Sequence, residues 1–234
     1  MQFIVNEALL AKARSVLAGR SLYWIVGGSC SGKSTLCSNL SAAHGVPVYD
    51  MDAQIFGGYQ GRYVPERHPA SLAWFRAGDP LAWALALSLD DWYHLNRATH
   101  AEYLDLLADD LLAYDPDSPL LIDGGITNPA LLAQVLPVSQ IVGLAVPPSL
   151  STRLWEEDDE RRGMKEAIER LPDPEQTWEA FLAKDQFIHR TIVEECQACG
   201  IRIFWRDEST APDALAQAVW QFLGAVEVQL LLRS

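Results

Sequence analysis

Four residues near the amino terminus have the types and spacing of a phosphate-binding loop. Gly27, Gly32, Lys33 and Ser34 satisfy the pattern G-x-x-x-x-G-K-[ST] within VGGSCSGKST. Glycines let the backbone curl so that successive N–H groups point at phosphate oxygens. The lysine of this pattern reaches the terminal phosphates, and the hydroxyl that follows it binds Mg²⁺. The predicted nucleotide contacts are Gly27, Gly28, Ser29, Cys30, Ser31, Gly32, Lys33, Ser34 and Thr35.

A pair of acids follows the second short apolar run, VPVYDMD, as Asp50 and Asp52. If the chain stays extended through Met51, both carboxylates face the same side, because side chains two apart in a strand share a face. One carboxylate would then accept a proton from an attacking hydroxyl while the other holds Mg²⁺ through water. Asp52 is the predicted base and Asp50 its alternative, and both are predicted to contact the acceptor. A solvated strand end is the competing interpretation.

A third acid, Asp123, ends the apolar run LLID. An acid in this place is typical of the second carboxylate near the metal, so Asp123 and Ser34 are the predicted Mg²⁺ ligands. Gly124 and Gly125 follow directly and would let a substrate approach the backbone closely. A simple turn between a strand and a helix would use glycines as well.

Three arginines follow the fourth apolar run. If 151–164 forms one helix, Arg153 and Arg161 share roughly one face, given 3.6 residues per turn. Mobile arginines neutralise the charge that spreads over a transferring phosphoryl group. We therefore predict that Arg161 or Arg162 is catalytic and that Arg153 contacts the nucleotide. Alternatively, EEDDERR is a solvated helix with internal ion pairs.

The segment 57–118 lies between the second and third apolar runs and is a natural pocket for an acceptor. Its Arg62, Arg67 and Arg97 are the predicted acceptor-binding cations. Tryptophans in this segment are able to stack on a ring, although aromatic residues at helical spacing more often belong to a core.

These candidates need a scaffold that brings them to one place, and the pattern of the chain supplies it. Five short apolar runs alternate with stretches of helical spacing, which predicts a parallel sheet covered by helices on both faces. Ligands of such sheets bind at the carboxyl ends of the strands. We predict a single α/β domain over 1–234, of three layers, α/β/α. The predicted strands are LYWIVGG, VPVYDMD, PLLIDGG, QIVGLAVPP and IRIFWRD.

Composition narrows the class of protein. The 234 residues carry a formal net charge of −13 and a pI of about 4.7, so nucleic acid is not an expected partner. There is neither an apolar run of about 20 residues nor a secretory signal pattern, which predicts a soluble, cytoplasmic protein without a membrane partner. Cys196 and Cys199 form a lone CxxC, which we interpret as two reduced thiols on the last turns of a helix before Gly200.

Taken in order, GGSCSGKST, VPVYDMD, LLIDGG and RLWEEDDERR resemble the P-loop kinases of small molecules, the nucleoside, nucleotide, shikimate and gluconate kinase group. The resemblance implies a five-stranded parallel sheet in the order 2-3-1-4-5, with ATP on the loop and Mg²⁺ as cofactor. It implies a lid at about 150–172, whose arginines would correspond to Arg153, Arg161 and Arg162. It also implies that adenine rests near 207–212.

Two other functions remain open. The loop, VPVYDMD and the glycine pair also resemble P-loop isopentenyl transferases, in which the loop holds a diphosphate and the residue matching Asp52 is the base. A regulatory module that binds a nucleotide without transferring phosphate is the third possibility. The leading prediction is ATP- and Mg²⁺-dependent phosphoryl transfer to a small molecule or nucleotide. The acceptor, the choice between ATP and GTP, and the oligomeric state are left open.

Overall fold

The structure, a computed structural model, describes residues 3–231. Its sheet has five strands in the order β2-β3-β1-β4-β5, and every neighbouring pair is parallel. The predicted fold class, a three-layer α/β/α arrangement with this strand order, is therefore confirmed. The strands are β1 (Leu22–Gly27), β2 (Val48–Asp50), β3 (Leu120–Asp123), β4 (Ile141–Ala145) and β5 (Arg202–Trp205).

Helices fill the connections between the strands, and the predicted acceptor segment 57–118 contains three of them. A π-helical turn (Gln54–Gly58) and 3-10 turns (Gln60–Arg62, Val138–Gln140 and Asp159–Arg161) join some of these elements. The α-helices are α1 (Glu7–Leu17), α2 (Lys33–His44), α3 (Met51–Ala53), α4 (Pro69–Phe75), α5 (Pro80–Ala86), α6 (Leu89–Leu111), α7 (Pro129–Leu132), α8 (Pro148–Glu157), α9 (Arg162–Ile168), α10 (Pro174–Cys199) and α11 (Pro212–Leu231).

The sheet is buried on both faces because alternate residues of a strand point to opposite sides. In β1, Trp24 packs into a core with residues of α1, α6, α7 and α10. Its neighbour Ile25 packs on the other side, with residues of α2 and α11. Neighbouring residues of β1 thus contact the helices on the two faces of the sheet.

Strand register brings the candidate residues to one edge. Asp123 of β3 is opposite Ile25 of β1 on one side and opposite Asp50 of β2 on the other. Since β1 ends at Gly27, the phosphate-binding loop begins two residues beyond this row, at the carboxyl edge of the sheet. This edge is where ligands of open parallel sheets bind.

The strand that carries the paired acids is shorter than predicted. β2 ends at Asp50, and α3 begins at Met51, so the expectation that Asp50 and Asp52 share one face of an extended strand is wrong. Asp50 is the N-cap residue of α3, and its Oδ1 accepts a hydrogen bond of 2.9 Å from the Ala53 N–H. An aspartate in this place favours a helix start over further extension.

The single helix predicted over 151–164 is interrupted. α8 ends at Glu157, a 3-10 turn covers Asp159–Arg161, and α9 starts at Arg162. Arg153 and Arg161 consequently do not share the face of one helix, which corrects that prediction.

The CxxC pair lies on the last turn of α10, before Gly200, as predicted. Gly200 is in the left-handed conformation. All four cysteines are free thiols. None of the described helices combines the length and the apolar character needed to span a membrane.

Candidate active site

The phosphate-binding loop has the backbone of an anion-binding concavity. Cys30 and Gly32 both adopt positive φ angles, of 61° and 88°, between residues in ordinary conformations. Alternation of this kind turns successive N–H groups toward one centre. A side chain at Gly27 would lie 2.6 Å from the Ser31 hydroxyl, so the loop also has no room for one.

The amino end of α2 faces the same centre. Gly32 is the N-cap residue of this helix and has no side chain with which to occupy the first-turn N–H groups. Those groups carry the positive end of the helix dipole and are free to bind an anion. Ser34 and Thr35, in that first turn, are exposed.

Two residues that the sequence analysis missed hold the loop from outside. The Arg206 guanidinium donates hydrogen bonds to the carbonyl oxygens of Cys30, at 2.7 Å, and of Ser31, at 3.2 Å. The C=O and N–H of a peptide unit point in opposite directions. Because Arg206 binds these two carbonyls, the N–H groups of the same peptide units point away from Arg206, toward the inside of the loop. The signal available in the sequence was position alone, since Arg206 directly follows β5 at the same edge of the sheet.

The second missed residue is His189 of α10, whose ring would lie 2.5 Å from a Cβ placed on Gly28. The ring also hydrogen-bonds to the backbone of Ser29, and burial lowers its pKa. Its Nε2 lies 3.1 Å from the Ser151 hydroxyl of α8, which donates to Asp185 at 2.6 Å. A buried polar cluster therefore connects α8, α10 and the loop, and no spacing in the sequence indicated it.

Lys33 and Asp52 meet beside the glycine pair. A Cβ placed on Gly124 would lie 3.1 Å from Asp52 Oδ2 and 3.2 Å from Lys33 Cε. Lys33 Nζ also donates to the Gly28 carbonyl, at 3.0 Å. Partial burial raises the pKa of the Asp52 carboxyl, Lys33 opposes the rise, and the negative charges of Asp123 and Asp50 add to it.

Asp123 is buried next to the start of α2 and accepts a hydrogen bond from Ser34. Burial raises the pKa of Asp123. Its Oδ1 is buried without a hydrogen-bond partner among the described residues. A buried carboxylate oxygen of this kind, next to a hydroxyl, fits a Mg²⁺ ion, which usually takes one or two protein oxygens together with phosphate oxygens and water.

The described residues contain no group of three or more His, Cys, Asp or Glu arranged to hold a metal. The described residues therefore do not form a metal site in which every ligand is a protein side chain. Ser34 and Asp123 fit a cation only in company with a bound polyphosphate.

The glycine pair after β3 is needed for packing. Gly124 and Gly125 have φ angles of +66° and +71°, and a Cβ on Gly125 would overlap the Met51 side chain. The Trp24 indole donates to the Gly124 carbonyl at 2.9 Å and holds the turn against β1. The pair thus lets α3 approach closely and places Asp52 beside Lys33.

The three predicted arginines occupy different surroundings. Arg161 lies over the Trp155 ring at 5.3 Å, and its Nε is buried without a partner among the described residues. Burial raises the pKa of the Cys30 thiol, and the positive charge of Arg161 opposes this rise, which puts that charge near the loop. Arg162 is exposed and pairs with Asp159.

Arg153 connects α8 to the loop after β5. Its guanidinium forms an ion pair with Glu208, and its Nε lies 3.8 Å from Glu157. The segment 207–212, where the resemblance implies adenine, is thereby tied to the helix that precedes the Arg161 turn.

A cavity of about 240 Å³ opens beside Asp52. It is formed by the turn after α3, helices α4, α5, α6 and α10, and the turn after β3. The lining residues are Asp52, Ile55, Phe56, Trp74, Ala84, Trp92, Leu95, Asn96, Thr99, His100, Tyr103, Gly125, Thr127 and Ile188.

Arg62, Arg67 and Arg97 do not line this cavity, which corrects their predicted placement. Arg62 forms an ion pair of 2.7 Å with Asp110, and Arg67 pairs with two other acids of α6. Arg97 donates to the Tyr93 hydroxyl at 3.2 Å. Arg62 and Arg67 are therefore held by acids of the carboxyl-terminal half of α6 and not by the cavity.

No protein-family model matches the sequence, and none of the curated proteins matches it. Among the solved structures that match this chain are two shikimate kinases. Shikimate kinase from Acinetobacter baumannii, in complex with shikimate, aligns at a TM-score of 0.44 and 16% identity, over 91% of this chain and 97% of that chain. Shikimate kinase from Aquifex aeolicus aligns at 0.39 and 15% identity, over 88% and 98%.

Proposed function

We propose that this protein transfers the terminal phosphoryl group of ATP to a hydroxyl of a small molecule, with Mg²⁺. One observation carries the proposal: Lys33, Asp52 and the buried Asp123 converge on the inner side of the loop, beside a cavity large enough for a small acceptor. A loop that only binds a nucleotide has no use for a carboxylate facing a second cavity.

Each residue has a distinct role in this reaction. The loop N–H groups and Lys33 hold the phosphates and offset the charge that spreads over the transferring group. Ser34 and Asp123 would hold Mg²⁺, which when bound neutralises charge between the phosphates. Asp52 orients the acceptor hydroxyl and takes its proton, for which a raised pKa is suited because it brings the base nearer to neutral pH.

Arg161 is the proposed cation over the transferring group. It lies near the loop, whereas Arg162 is paired on the surface. Movement of 150–172 over the loop would exclude water, which otherwise competes with the acceptor.

Nucleotide binding and turnover test the proposal separately. Calorimetry should show Mg²⁺-dependent binding of ATP, and Lys33→Ala should weaken it and lower kcat/KM for ADP formation by roughly 10²–10³. Arg202→Ala is the matched control, because it removes one positive charge from the exposed face of β5. Binding of dimethylallyl diphosphate in preference to ATP would instead support prenyl transfer. ATP binding without acceptor-dependent ADP formation would support a regulatory module.

A further inference from the structure

The cavity beside Asp52 contains one carboxylate and, among its lining residues, neither lysine nor arginine. Lys33 lies close to Asp52 but donates to the Gly28 carbonyl of the loop. Arg97, whose charge reaches His100, does not line the cavity and donates to the Tyr93 hydroxyl. An acceptor that carries a carboxylate or phosphate would therefore bring a second negative charge close to Asp52 without gaining a partner. Such an unpaired charge, partly removed from water, is strongly unfavourable.

The one other titratable base of the lining, His100, is neutral. Burial lowers its pKa to about 4, so the ring carries no charge near neutral pH. Its Nδ1 lies 2.7 Å from Asn128 Oδ1, whose amide nitrogen in turn donates to Glu195 at 3.3 Å. Because Glu195 accepts from the amide nitrogen, the amide oxygen faces the ring and Nδ1 carries the proton. The ring supplies a hydrogen-bond acceptor on Nε2 instead of a positive charge.

The remaining walls are aromatic, aliphatic and uncharged polar. Phe56 is 64% exposed and lies at the mouth, 6.0 Å from Trp74 in an edge-to-face arrangement. Trp74 and Trp92 are half-buried, whereas Thr99 and Tyr103 are buried. Aromatic walls with a few convergent polar groups are typical of sites for ligands that have a flat apolar face and a small number of hydroxyls.

We propose that the acceptor is an uncharged, hydroxyl-bearing molecule with an aromatic ring, about the size of a nucleoside. This inference rests on the proposed function, since it identifies the cavity as the acceptor site of that reaction. A cationic acceptor is disfavoured because it would pair with Asp52, the carboxylate that must receive the hydroxyl proton.

Ligand pairs in which one member carries an added anionic group test the proposal. Equilibrium binding is the deciding readout, because a 5′-phosphate also replaces the 5′-hydroxyl and so changes turnover for a second reason. Nucleosides and their 5′-monophosphates are compared in acceptor-dependent ADP formation and in equilibrium binding, with quenching of tryptophan fluorescence as the binding readout. The uncharged member of a pair should have a kcat/KM at least tenfold higher and should bind more tightly. Equal or better use of the 5′-monophosphate overturns the proposal, as does failure of every uncharged nucleoside to bind.

A charge introduced into the wall sharpens the test. Asn96→Lys should shift the preference toward the 5′-monophosphate by tenfold or more, whereas Asn96→Gln should keep the preference for the uncharged member. Trp205→Leu removes an exposed tryptophan of β5, outside the cavity, and should leave the ligand-dependent quenching unchanged. An unaltered preference in Asn96→Lys, confirmed as folded by circular dichroism, contradicts the placement of the acceptor in this cavity.

Binding and turnover separate the two hypotheses. If nucleosides bind and quench fluorescence but no ADP forms, phosphoryl transfer fails while the chemistry of the cavity stands. If ADP forms only with anionic acceptors, the transfer stands and the uncharged acceptor is wrong.

Discussion

The predicted phosphate-binding loop would act through its backbone, whereas the proposed acceptor cavity is lined mainly by side chains. On the loop, amide groups, positive φ angles at Cys30 and Gly32, and the start of α2 create the anion site. The cavity draws on the turns after α3 and β3 and on four helices. A backbone site needs a few residue types at fixed spacing, so a short motif reveals it. A side-chain site assembled from distant segments leaves no such motif.

The largest effect should come from Asp52, which joins the two regions. Asp52→Asn should lower kcat by roughly 10²–10⁴ because the acceptor loses its base, while ATP binding is retained. Asp50→Asn is the matched control, since asparagine also caps a helix and keeps the contact to the Ala53 N–H. Steady-state kinetics on both variants decide between the two carboxylates, and equal losses would contradict the assignment.

A smaller effect separates the two neighbouring arginines. Arg161→Ala should lower kcat by about 10²-fold, because its charge lies near the loop. Arg162→Ala removes a surface ion pair with Asp159 and should change kcat by less than about twofold. Single-turnover rates at saturating ATP measure both. A larger loss in Arg162→Ala would mean that 150–172 closes with the other arginine inward.

The pH–rate profile tests the environment of Asp52. Its raised pKa means that the carboxyl is still protonated at pH values where an ordinary aspartate is ionised. Because the base acts only when ionised, kcat/KM, which reports the pKa of the free enzyme, should fall as pH decreases through this raised pKa, by about tenfold per pH unit below it. The acid limb should be absent from the residual activity of Asp52→Asn. An acid limb at the ordinary pKa of aspartate would show that burial and the neighbouring carboxylates do not raise the pKa of Asp52.

The smallest effects are expected from the arginines outside the cavity, which act on stability. Asp105 is buried and accepts from Lys12 at 2.7 Å, from His68 at 3.0 Å and from Arg67. Arg67→Ala should lower the free energy of unfolding by about 1–2 kcal/mol and leave the acceptor KM unchanged. Urea denaturation and kinetics, with the exposed Arg170→Ala as control, check this. A raised acceptor KM would mean that Arg67 contributes to acceptor binding after all.

The same cluster has a pH signature. Its hydrogen-bond and ion-pair partners lower the pKa of Asp105 to about 2, against the desolvation of the buried group. A carboxyl with a lowered folded-state pKa contributes stability that is present above its ordinary value, near 4, and is lost as pH falls toward 2. Asp105→Asn should therefore flatten the acid limb of unfolding by roughly 2 kcal/mol.

Much of the fold followed from the pattern of the chain. Five apolar runs separated by helical spacing were enough for the parallel sheet, and α10 ends before Gly200 as predicted. The helix after β4 is interrupted at Asp158 and Asp159, which have low helix propensity, although the glutamates and arginines on either side are good helix formers. Where Arg161 lies depends on tertiary contacts that no local pattern shows, since it rests on Trp155 and its charge is near the loop.

The site was predictable to the extent that it lies at strand ends. Asp123 and Lys33 follow from motif and register, whereas the position of Asp52 depends on a helix start at Met51 that the apolar pattern did not indicate. His189 and Arg206 contact the loop across more than 150 residues of chain, and no local spacing carries such a contact. The prediction that Arg62 and Arg67 bind the acceptor used only their positive charge. It was wrong because both arginines form ion pairs with acids of α6.

Helix α10 contributes consecutive residues to the cavity and to the phosphate-binding loop: Ile188 lines the cavity, and His189 packs against Gly28. A displacement of this helix that admits a ligand on one side also moves the imidazole beneath the loop on the other. Binding of a ligand in the cavity is therefore expected to change the affinity of the loop for its ligand. Thermodynamic linkage requires that binding at the loop change the affinity of the cavity by the same factor.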